Sequence, residues 1–348
     1  MTSPGTVRVL VVDDSAFARK VLRESLSAHP AIEVVGTARD GLEALEKIAE
    51  LKPDVITLDL IMPNLDGLGV LHALPPTGGP RVVIVSISDG NSALGVEALQ
   101  AGAVELVHKP TALATDRLYE LSGELIQKVL TAGGAVRPAI NSPSGTVPLP
   151  LPDALRAQAT VKLVVVGTST GGPQALTRLL TALPADLPCA VAVALHIPAG
   201  YTEALARRLN EHSAVSVFEA WEGALLAPGS VAIARGGSHL RVRADGGKLT
   251  THISQEPTSA PYCPSVNVLF DSAAKALGPA VMGVVLTGMG DDGLEGARAI
   301  RSAGGRVLTE AASSCVVYGM PRSVSEAQLS MGAFPIDEMA GAIVSRLS

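Results

Sequence analysis

A serine at the end of an apolar run has surroundings that suggest catalysis. Lys162–Val166 leads into Gly167-Thr168-Ser169-Thr170-Gly171-Gly172, which matches the pattern G-x-S-x-G between a strand and a helix. In that context the serine hydroxyl stands on a sharp turn, and N–H groups of the following helix can stabilise an oxyanion. A glycine-rich turn of this kind can also bind phosphate, but the GxGxxG and GK[ST] spacings are absent. The pattern therefore favours Ser169 as a nucleophile.

A serine nucleophile needs a base that takes its proton. Of the seven histidines, only His196 directly follows an apolar run, Ala190–Leu195, in the same half of the chain as Ser169. Because the carboxyl ends of parallel strands meet at one edge of a sheet, we expect His196 to lie close to Ser169. The sequence therefore predicts His196 as the general base.

The base needs a carboxylate that orients it, and two aspartates follow the next apolar run, Val281–Leu286. Asp291 and Asp292 stand side by side before a predicted helix. One of them is expected to orient His196 and the other to cap that helix, and spacing alone leaves open which does which. The order Ser…His…Asp differs from the Ser…Asp…His order of α/β hydrolases, so a different chain path would reach the same geometry.

Five polar residues at strand ends form a second candidate site in the first half of the chain. Asp13 and Asp14 follow the first apolar run, and Asp59 follows the third. Three converging carboxylates repel one another unless a hard divalent cation lies between them, so the set predicts Mg²⁺ binding for phosphoryl transfer. Ser86 and Lys109, at the ends of the fourth and fifth runs, are expected to contact the phosphoryl group. Helix capping explains Asp13 or Asp14 singly but not all five residues together.

Two series of alternating strands and helices are expected to position these residues. The first, from Val7 to about Thr131, contains five short apolar runs, each followed by helical periodicity: Arg8–Val12, Glu33–Thr37, Asp54–Leu58, Arg81–Ile87 and Val104–Val107. Continuous apolar strands separated by helices indicate a parallel sheet covered on both faces. Five such units predict a flavodoxin-like (βα)5 domain.

The second series begins at Val161 and predicts a doubly wound, mostly parallel α/β domain. Between about 230 and 255 the sequence alternates apolar and polar residues around Gly-Gly pairs, which predicts a small antiparallel excursion beginning at Val231. Between the two series Pro, Gly and Ser are dense. The sequence therefore predicts a linker at 133–158 between a first domain at 1–132 and a second at 159–348.

Composition and charge exclude several classes of function. The 348 residues are 47% hydrophobic and 17% charged, which suits two packed α/β cores. The net charge of −6 and the lack of a basic patch argue against a nucleic-acid partner. The apolar runs are too short for insertion into a membrane, no signal sequence is visible, and the three cysteines form no framework spacing. A reduced, cytoplasmic protein is therefore expected.

The first half of the chain resembles response-regulator receiver domains. The resemblance lies in the segments VLVVDDS, DVITLDLIMPNLDGL and VHKP and extends over most of 1–132. It implies that Asp59 is the phospho-acceptor and that Asp13, Asp14 and Asp59 bind Mg²⁺. Ser86 becomes the switch hydroxyl, and Lys109 belongs to the same switch.

The second half resembles the catalytic domain of chemotaxis methylesterases (CheB). The segments that carry this resemblance are GTSTGGPQAL, LHIPAGYTEALARRLN, PSVNVLFDSAAK, LTGMGDDG and SCVVYGMP. It implies that Ser169 is the nucleophile, His196 the general base and Asp292 its orienting acid. Thr170 and Met289 line the site in the family's pattern, and their backbone N–H groups are candidate oxyanion donors. The ester hydrolysis itself is expected to need no cofactor.

Two positions and one strand depart from the patterns of these families. Cys263 and Asn267 stand where the methylesterases commonly have Arg and Asp, which predicts a difference in substrate affinity or identity. In the receiver half, an aromatic partner for Ser86 is not evident in the segment Glu105–His108.

The two resemblances together imply a specific enzyme. It hydrolyses γ-glutamyl methyl esters, and deamidates glutamines, on methyl-accepting chemoreceptors through an acyl-enzyme on Ser169. Phosphorylation of Asp59 by a chemotaxis histidine kinase is expected to relieve blocking of the Ser169 cleft by the receiver.

Two other classes of function compete with the esterase. A DNA-binding transcriptional regulator predicts a basic helix-turn-helix after the linker, and the α/β pattern with paired carboxylates disfavours it. A receptor-binding adaptor that has lost catalysis is suggested by Cys263 and Asn267.

Overall fold

The computed structural model describes residues 6–75, 78–86, 92–109, 115–135 and 160–348, with only the backbone for 115–121. The chain divides into two compact units, Met1–Asn141 and Ser142–Ser348. The last helix of the first unit continues to Gly134, two residues into the predicted linker 133–158. Beyond Ala135, that linker lies outside the described residues.

The first unit contains a parallel sheet of five strands in the order β2-β1-β3-β4-β5. The strands are β1 Val7–Val12, β2 Ile32–Ala38, β3 Val55–Leu58, β4 Arg81–Ser86 and β5 Glu105–His108. The helices are α1 Ala16–Ser27, α2 Gly41–Leu51, α3 Gly67–Ala73, α4 Ser92–Gln100 and α5 Thr115–Gly134. Strand β3 is buried along its whole length, as expected where helices cover both faces of the sheet. The predicted flavodoxin-like fold is confirmed by this strand order.

The second unit contains a parallel sheet of seven strands in the order β14-β13-β12-β6-β7-β9-β8. Its strands are β6 Leu163–Thr168, β7 Ala190–Leu195, β8 Ser216–Glu219, β9 Ser230–Ile233, β12 Val281–Val285, β13 Arg306–Glu310 and β14 Ala333–Phe334. Its helices are α6 Gly172–Ala182, α7 Thr202–His212, α8 Val266–Leu277, α9 Leu294–Ser302, α10 Met320–Glu326 and α11 Ile336–Val344. The predicted doubly wound α/β architecture is confirmed.

The antiparallel excursion is smaller than the sequence predicted. It consists of one hairpin, β10 His239–Asp245 with β11 Lys248–Ser254. The run from Val231 was wrongly assigned to it, because β9 is buried at every position and pairs in parallel with β7 and β8. A strand covered on both faces shows no alternation, so four apolar residues alone do not reveal which sheet they join.

Both sheets bring polar residues together where the chain changes direction across the sheet. In the first, β1 lies between β2 and β3; in the second, β6 lies between β7 and β12. A crevice forms outside the carboxyl ends of the strands at such a switch point, and ligands bind there. The residues that follow β1 and β3, and those that follow β6, β7 and β12, therefore share a crevice within their own unit.

No helix in the described part of the chain has both the length and the apolar composition that a membrane crossing requires.

Candidate active site and acidic pocket

Ser169 stands on a tight turn between β6 and α6. Its N–H donates to the Thr287 carbonyl (3.0 Å), and its own carbonyl accepts from the Gly172 N–H (2.7 Å). Gly171 has φ +77°, and a Cβ there would lie 2.6 Å from atoms of the Val316 side chain. A glycine is therefore required for both the backbone conformation and the close approach. The turn leaves Ser169 partly exposed at the carboxyl edge of the sheet.

The segment Thr287–Gly290, which we call the Thr287 loop, follows β12 and is hydrogen-bonded to the turn that carries Ser169. The Thr168 hydroxyl donates to the Thr287 carbonyl (2.7 Å), and the Thr287 hydroxyl donates to the Thr170 carbonyl (2.9 Å). A Cβ on Gly288 would lie 2.9 Å from the Ser169 Cβ, so the two backbones are in contact. Hydrogen bonds from both sides thus fix where Ser169 stands.

A buried carboxylate that the sequence analysis missed supports this loop. Glu310, at the end of β13, accepts the Thr287 N–H (2.8 Å) on one oxygen and the Ser314 hydroxyl (2.8 Å) on the other. Burial raises the pKa of Glu310 above its usual value, against the opposing effect of those two hydrogen bonds. A polar residue at the end of an apolar run was the signal used for His196, and the run Arg306–Glu310 carries the same signal.

His196 and Asp292 form a direct side-chain contact. The His196 Nε2 lies 2.8 Å from the Asp292 Oδ2, and both side chains are largely buried. Asp291 is exposed, so of the two neighbouring aspartates it is Asp292 that bonds to the histidine. Because an ionised carboxylate can only accept, the proton of this bond belongs to Nε2.

Asp292 lies at the N-terminus of α8 as well as beside His196. Its Oδ1 accepts from the Ser265 hydroxyl (3.0 Å) and the Asn267 N–H (2.9 Å), and its Oδ2 also accepts from the Val266 N–H (2.7 Å). Burial by itself would raise the pKa of Asp292, but the hydrogen bond and charge of His196 and these backbone N–H groups hold it below its usual value. The carboxylate is therefore ionised at neutral pH.

A second buried histidine supports the same helix start. His239, at the beginning of β10, accepts the Ser265 N–H on its Nδ1 (3.1 Å). Burial lowers the pKa of His239, which keeps the ring neutral and able to accept that hydrogen bond. The antiparallel hairpin thus helps to fix Ser265 and, through it, Asp292.

Ser169 and His196 follow paired positions of neighbouring strands, since Thr168 is opposite Leu195 in the ladder of β6 and β7. No hydrogen bond joins the Ser169 hydroxyl to the His196 ring among the described residues, and the buried Nδ1 has no partner there. Catalytic hydrogen bonds are often long before substrate binds. The structure therefore brings Ser169, His196 and Asp292 to one edge of the sheet. The His196 Nδ1, on the far side of the ring from Asp292, makes no hydrogen bond within the described part of the chain.

The two residues predicted to line this site lie beside Ser169. Thr170 follows it directly and is buried, with its carbonyl bonded to the Thr287 hydroxyl. Met289 follows Gly288 in the Thr287 loop and is partly buried.

The two departures from the methylesterase pattern occupy different positions. The Asn267 side-chain oxygen accepts the N–H groups of Gly293 (3.0 Å) and Gly296 (2.7 Å), so Asn267 caps the start of α9. Cys263 is exposed, and its carbonyl accepts the Gly237 N–H (3.2 Å). Asn267 therefore has a structural partner, whereas the Cys263 thiol lies at the surface.

The acidic pocket of the first unit forms as the sequence predicted. Ligand oxygens of Asp13, Asp14 and Asp59 all lie within 4.8 Å of one another. The Lys109 Nζ bonds to Asp13 (2.7 Å) and Asp59 (3.0 Å). Burial raises the pKa of Asp13 although Lys109 opposes it, and the two carboxylates raise the pKa of Lys109 against the effect of its own burial. One ammonium against three carboxylates leaves a negative excess, which fits a Mg²⁺ site.

Ser86 ends β4 and is buried, and its carbonyl accepts the Lys109 N–H (2.8 Å). Ser86 and Lys109 are thus at neighbouring strand ends of the acidic pocket. On β5, Leu106 is buried, and none of the strand's four residues, Glu105–His108, is Phe, Tyr or Trp.

Comparison with known proteins matches both units. Residues 164–343 match the family model described as CheB methylesterase, and residues 9–120 match the response regulator receiver domain. Protein-glutamate methylesterase/protein-glutamine glutaminase 5 of Myxococcus xanthus (strain DK1622) is 60% identical over 97% of both chains. The corresponding protein of Geobacillus kaustophilus (strain HTA426) is 43% identical over 97% of this chain and 98% of its own. Among solved structures, the Thermotoga maritima CheB methylesterase catalytic domain has a TM-score of 0.52 and 36% identity, covering 53% of this chain and 98% of that one.

Acidification is predicted to remove the stabilising effect of Asp292. Its native pKa lies below its ordinary value, so the unfolded chain binds the proton first and the stabilisation present at neutral pH is lost as the pH falls through the native pKa. We expect Asp292→Asn to lower the free energy of unfolding at pH 7 by about 2 kcal/mol, because hydrogen bonds to a charged acceptor are lost. The difference in free energy of unfolding between Asp292→Asn and wild type should shrink below pH 3.8, the ordinary pKa of an aspartate.

Urea unfolding from pH 7 to pH 3 measures this effect, and fluorescence of Trp221 follows the second unit because it is the single tryptophan. Asp291→Asn, at the exposed neighbour, is the matched control and should leave the curve nearly unchanged. If the free energies of unfolding of wild type and Asp292→Asn kept a constant difference from pH 7 to pH 3, the lowered pKa of Asp292 would be contradicted.

Loss of the Asn267 cap is predicted to destabilise α9. Asn267→Ala removes the acceptor of two N–H groups and should cost about 1 kcal/mol in the same urea experiment. Asn267→Asp keeps a capping oxygen and should remain within about 0.5 kcal/mol of wild type. Equal stability of Asn267→Ala and wild type would show that the cap is unimportant.

Proposed function

The chain belongs to the CheB methylesterase family and carries a response regulator receiver domain, so it is a hydrolase of the protein-glutamate methylesterase/protein-glutamine glutaminase type. On that premise we propose that Ser169, His196 and Asp292 are its catalytic triad and that phosphorylation of Asp59 activates it. The observation that carries the proposal is the bond between His196 Nε2 and an ionised Asp292 at the sheet edge where Ser169 stands. The proposed domain bounds are 1–132 for the receiver, 133–158 for the linker and 159–348 for the methylesterase.

The proposed reaction is acyl transfer through Ser169. The Ser169 oxygen attacks the carbonyl carbon of a glutamyl methyl ester while its proton moves to the His196 Nδ1. The tetrahedral adduct then collapses, the C–O bond to the methoxy group breaks, and methanol leaves with the proton from His196. Water gives a proton to the same nitrogen and attacks the acyl-enzyme; the bond to the Ser169 oxygen then breaks, Ser169 takes the proton back from His196, and the glutamyl carboxylate of the receptor is freed. Asp292 stays ionised throughout and stabilises the imidazolium that forms twice in each cycle.

The negative charge that develops on the carbonyl oxygen needs donors close to Ser169. Thr170 and Met289 are our candidates, because one follows the nucleophile and the other lies in the Thr287 loop against it. Their backbone N–H groups would be fixed before substrate binds, which is what makes such donors effective. Glutamine deamidation follows the same path, with ammonia in place of methanol as the leaving group.

The receiver is proposed to accept a phosphoryl group on Asp59. Asp13, Asp14 and Asp59 would hold Mg²⁺, which neutralises charge on the phosphoryl oxygens when bound. Lys109 already bonds to Asp59 and would pair with the acyl phosphate, and the Ser86 hydroxyl would donate to it. A chemotaxis histidine kinase is the proposed donor, and methyl-accepting chemoreceptors are the proposed substrates.

Methanol release from a methylated chemoreceptor tests the esterase. Ser169→Ala should lower the rate roughly 10⁴-fold or more, because the nucleophile is removed, while Asp59 is still phosphorylated by acetyl phosphate. Ser302→Ala, an exposed serine at the end of α9, is the matched control and should retain full activity. Undiminished release by Ser169→Ala would refute the assignment of the nucleophile, and a wild-type protein that binds receptor but releases no methanol would refute the substrate.

Removal of the metal ion distinguishes the two reactions, because phosphorylation of Asp59 is expected to need Mg²⁺ and ester hydrolysis is not. In excess EDTA, acetyl phosphate should no longer phosphorylate Asp59, whereas the basal rate of methanol release should not change. Asp59→Asn should show the same basal rate and no activation, and Glu46→Gln, at an exposed carboxylate of α2, should behave as wild type. Mass spectrometry of the phosphorylated protein and the methanol assay provide the two measurements. A basal rate abolished by EDTA would contradict a metal-free esterase.

A further inference from the structure

One ring lies flat against the histidine of the proposed triad. The Tyr262 and His196 ring centroids are 4.1 Å apart with an interplanar angle of 12°, so the two rings are stacked face to face. We propose that Tyr262 is a positioning residue that holds the imidazole plane and excludes water from that face. This inference rests on the proposed function, in which His196 is the base.

The contact with Asp292 alone does not fix the imidazole. A hydrogen bond at Nε2 restrains one atom of the ring, and the ring can still turn about the line through that atom. The direction of Nδ1 depends on this turn, and Nδ1 is the nitrogen that must face the Ser169 hydroxyl. A flat aromatic surface against one face restricts the turn, because a tilted imidazole would collide with the phenol ring.

The state of Nδ1 indicates that the position of the ring matters for function. This nitrogen is buried and has no hydrogen-bond partner among the described residues. A buried polar atom without a partner costs free energy, because its hydration is lost and no hydrogen bond replaces it. No hydrogen bond from the described residues to Nδ1 sets the orientation of the ring, so packing has to set it, and Tyr262 packs against one face of the ring.

Tyr262 is itself held by a segment with several anchors. The Cys263 carbonyl accepts the Gly237 N–H, and Ser265 donates its N–H to His239 and its hydroxyl to Asp292. The backbone next to Tyr262 is therefore fixed to the same carboxylate that orients His196. The stack and the histidine contact are positioned by one structural unit.

The phenol group is neutral and close to the Thr287 loop. Burial raises the pKa of Tyr262, and the negative charges of Asp292 and Asp291 raise it further. A Cβ on Gly290 would lie 3.6 Å from the Tyr262 hydroxyl, so this oxygen borders the loop near the nucleophile. Two roles must be separated by experiment, since the ring can position His196 and the hydroxyl can contact substrate.

Substitutions that keep or remove the flat ring separate these roles. Tyr262→Phe keeps the ring, and both Tyr262→Ala and Tyr262→Leu remove it. We measure kcat and KM for methanol release from methylated chemoreceptor, and hydrolysis of p-nitrophenyl acetate, all with the full-length chain. We expect Tyr262→Phe within about twofold of wild type, because it keeps the stack. Tyr262→Ala and Tyr262→Leu should lower kcat for both substrates roughly 10- to 100-fold with little change in KM, as expected for a misplaced catalytic group.

Three results would overturn the proposal. If Tyr262→Phe is as impaired as Tyr262→Ala, the hydroxyl and not the ring is the active part. If Tyr262→Ala raises only KM for the receptor and leaves the small ester unaffected, Tyr262 contacts the receptor instead. If Tyr262→Leu is fully active toward both substrates, any apolar side chain suffices and the flat ring has no special role. Trp221 fluorescence in urea checks that each variant is folded.

Failure of the proposed function gives a different pattern. A wild-type protein that hydrolyses p-nitrophenyl acetate but releases no methanol has another natural substrate. The three Tyr262 variants can still be compared on the small ester in that case, and the same 10- to 100-fold loss supports the positioning role.

Discussion

The arrangement of the second unit depends on one ionised carboxylate placed at a helix start. Asp292 accepts four hydrogen bonds: from His196, from the Ser265 hydroxyl and from the first two N–H groups of α8. Burying a carboxylate is costly unless it is fully hydrogen-bonded, and a helix N-terminus supplies both donors and positive potential. The charge that bonds to His196, the proposed base, is therefore the same charge that fixes the position of α8. Removing it would disturb the helix and the histidine together.

Ser169, the proposed nucleophile, depends on a second set of contacts from the other side of the switch point. Thr287 bonds to both residues that flank Ser169, and buried Glu310 holds Thr287 from below. These bonds join three neighbouring strands, β6, β12 and β13, into one support. Because Ser169 and His196 stand on adjacent strands, small shifts between strands would change the gap that the proton must cross. The cross-strand bonds limit such shifts.

The first unit solves an electrostatic problem of the opposite kind. There, Asp13, Asp14 and Asp59 converge, the Lys109 ammonium bonds to two of them, and the negative charge of the cluster suits a divalent cation. In the second unit, Asp292 is compensated entirely by protein groups. The same topology, with a crevice at the switch point of a parallel sheet, thus positions the proposed site for metal and phosphate in one unit and the proposed acyl-transfer site in the other.

The amino-acid sequence by itself determined the architecture and pointed to the residues proposed to carry the chemistry. Apolar runs alternating with helical periodicity give two parallel sheets, and polar residues directly after such runs must meet at one edge, which is why Ser169, His196 and the acidic pocket could be identified. The run from Val231 was misassigned because a buried strand does not reveal its partners. Strands β8, β13 and β14 were absent from the prediction. Glu310 was missed for the same reason, because it is the last residue of β13.

Spacing left Asp291 and Asp292 equivalent, and resemblance to the methylesterases pointed to Asp292; the contact itself is visible only in the tertiary structure, where Asp292 is buried against His196 and Asp291 is exposed. The tertiary structure also shows that the Asn267 side chain on α8 caps the start of α9. It places the Tyr262 ring against the face of the His196 imidazole. These contacts join residues far apart in the chain. Local sequence patterns carry periodicity and strand ends, but they hold no information on which loops meet above the sheet.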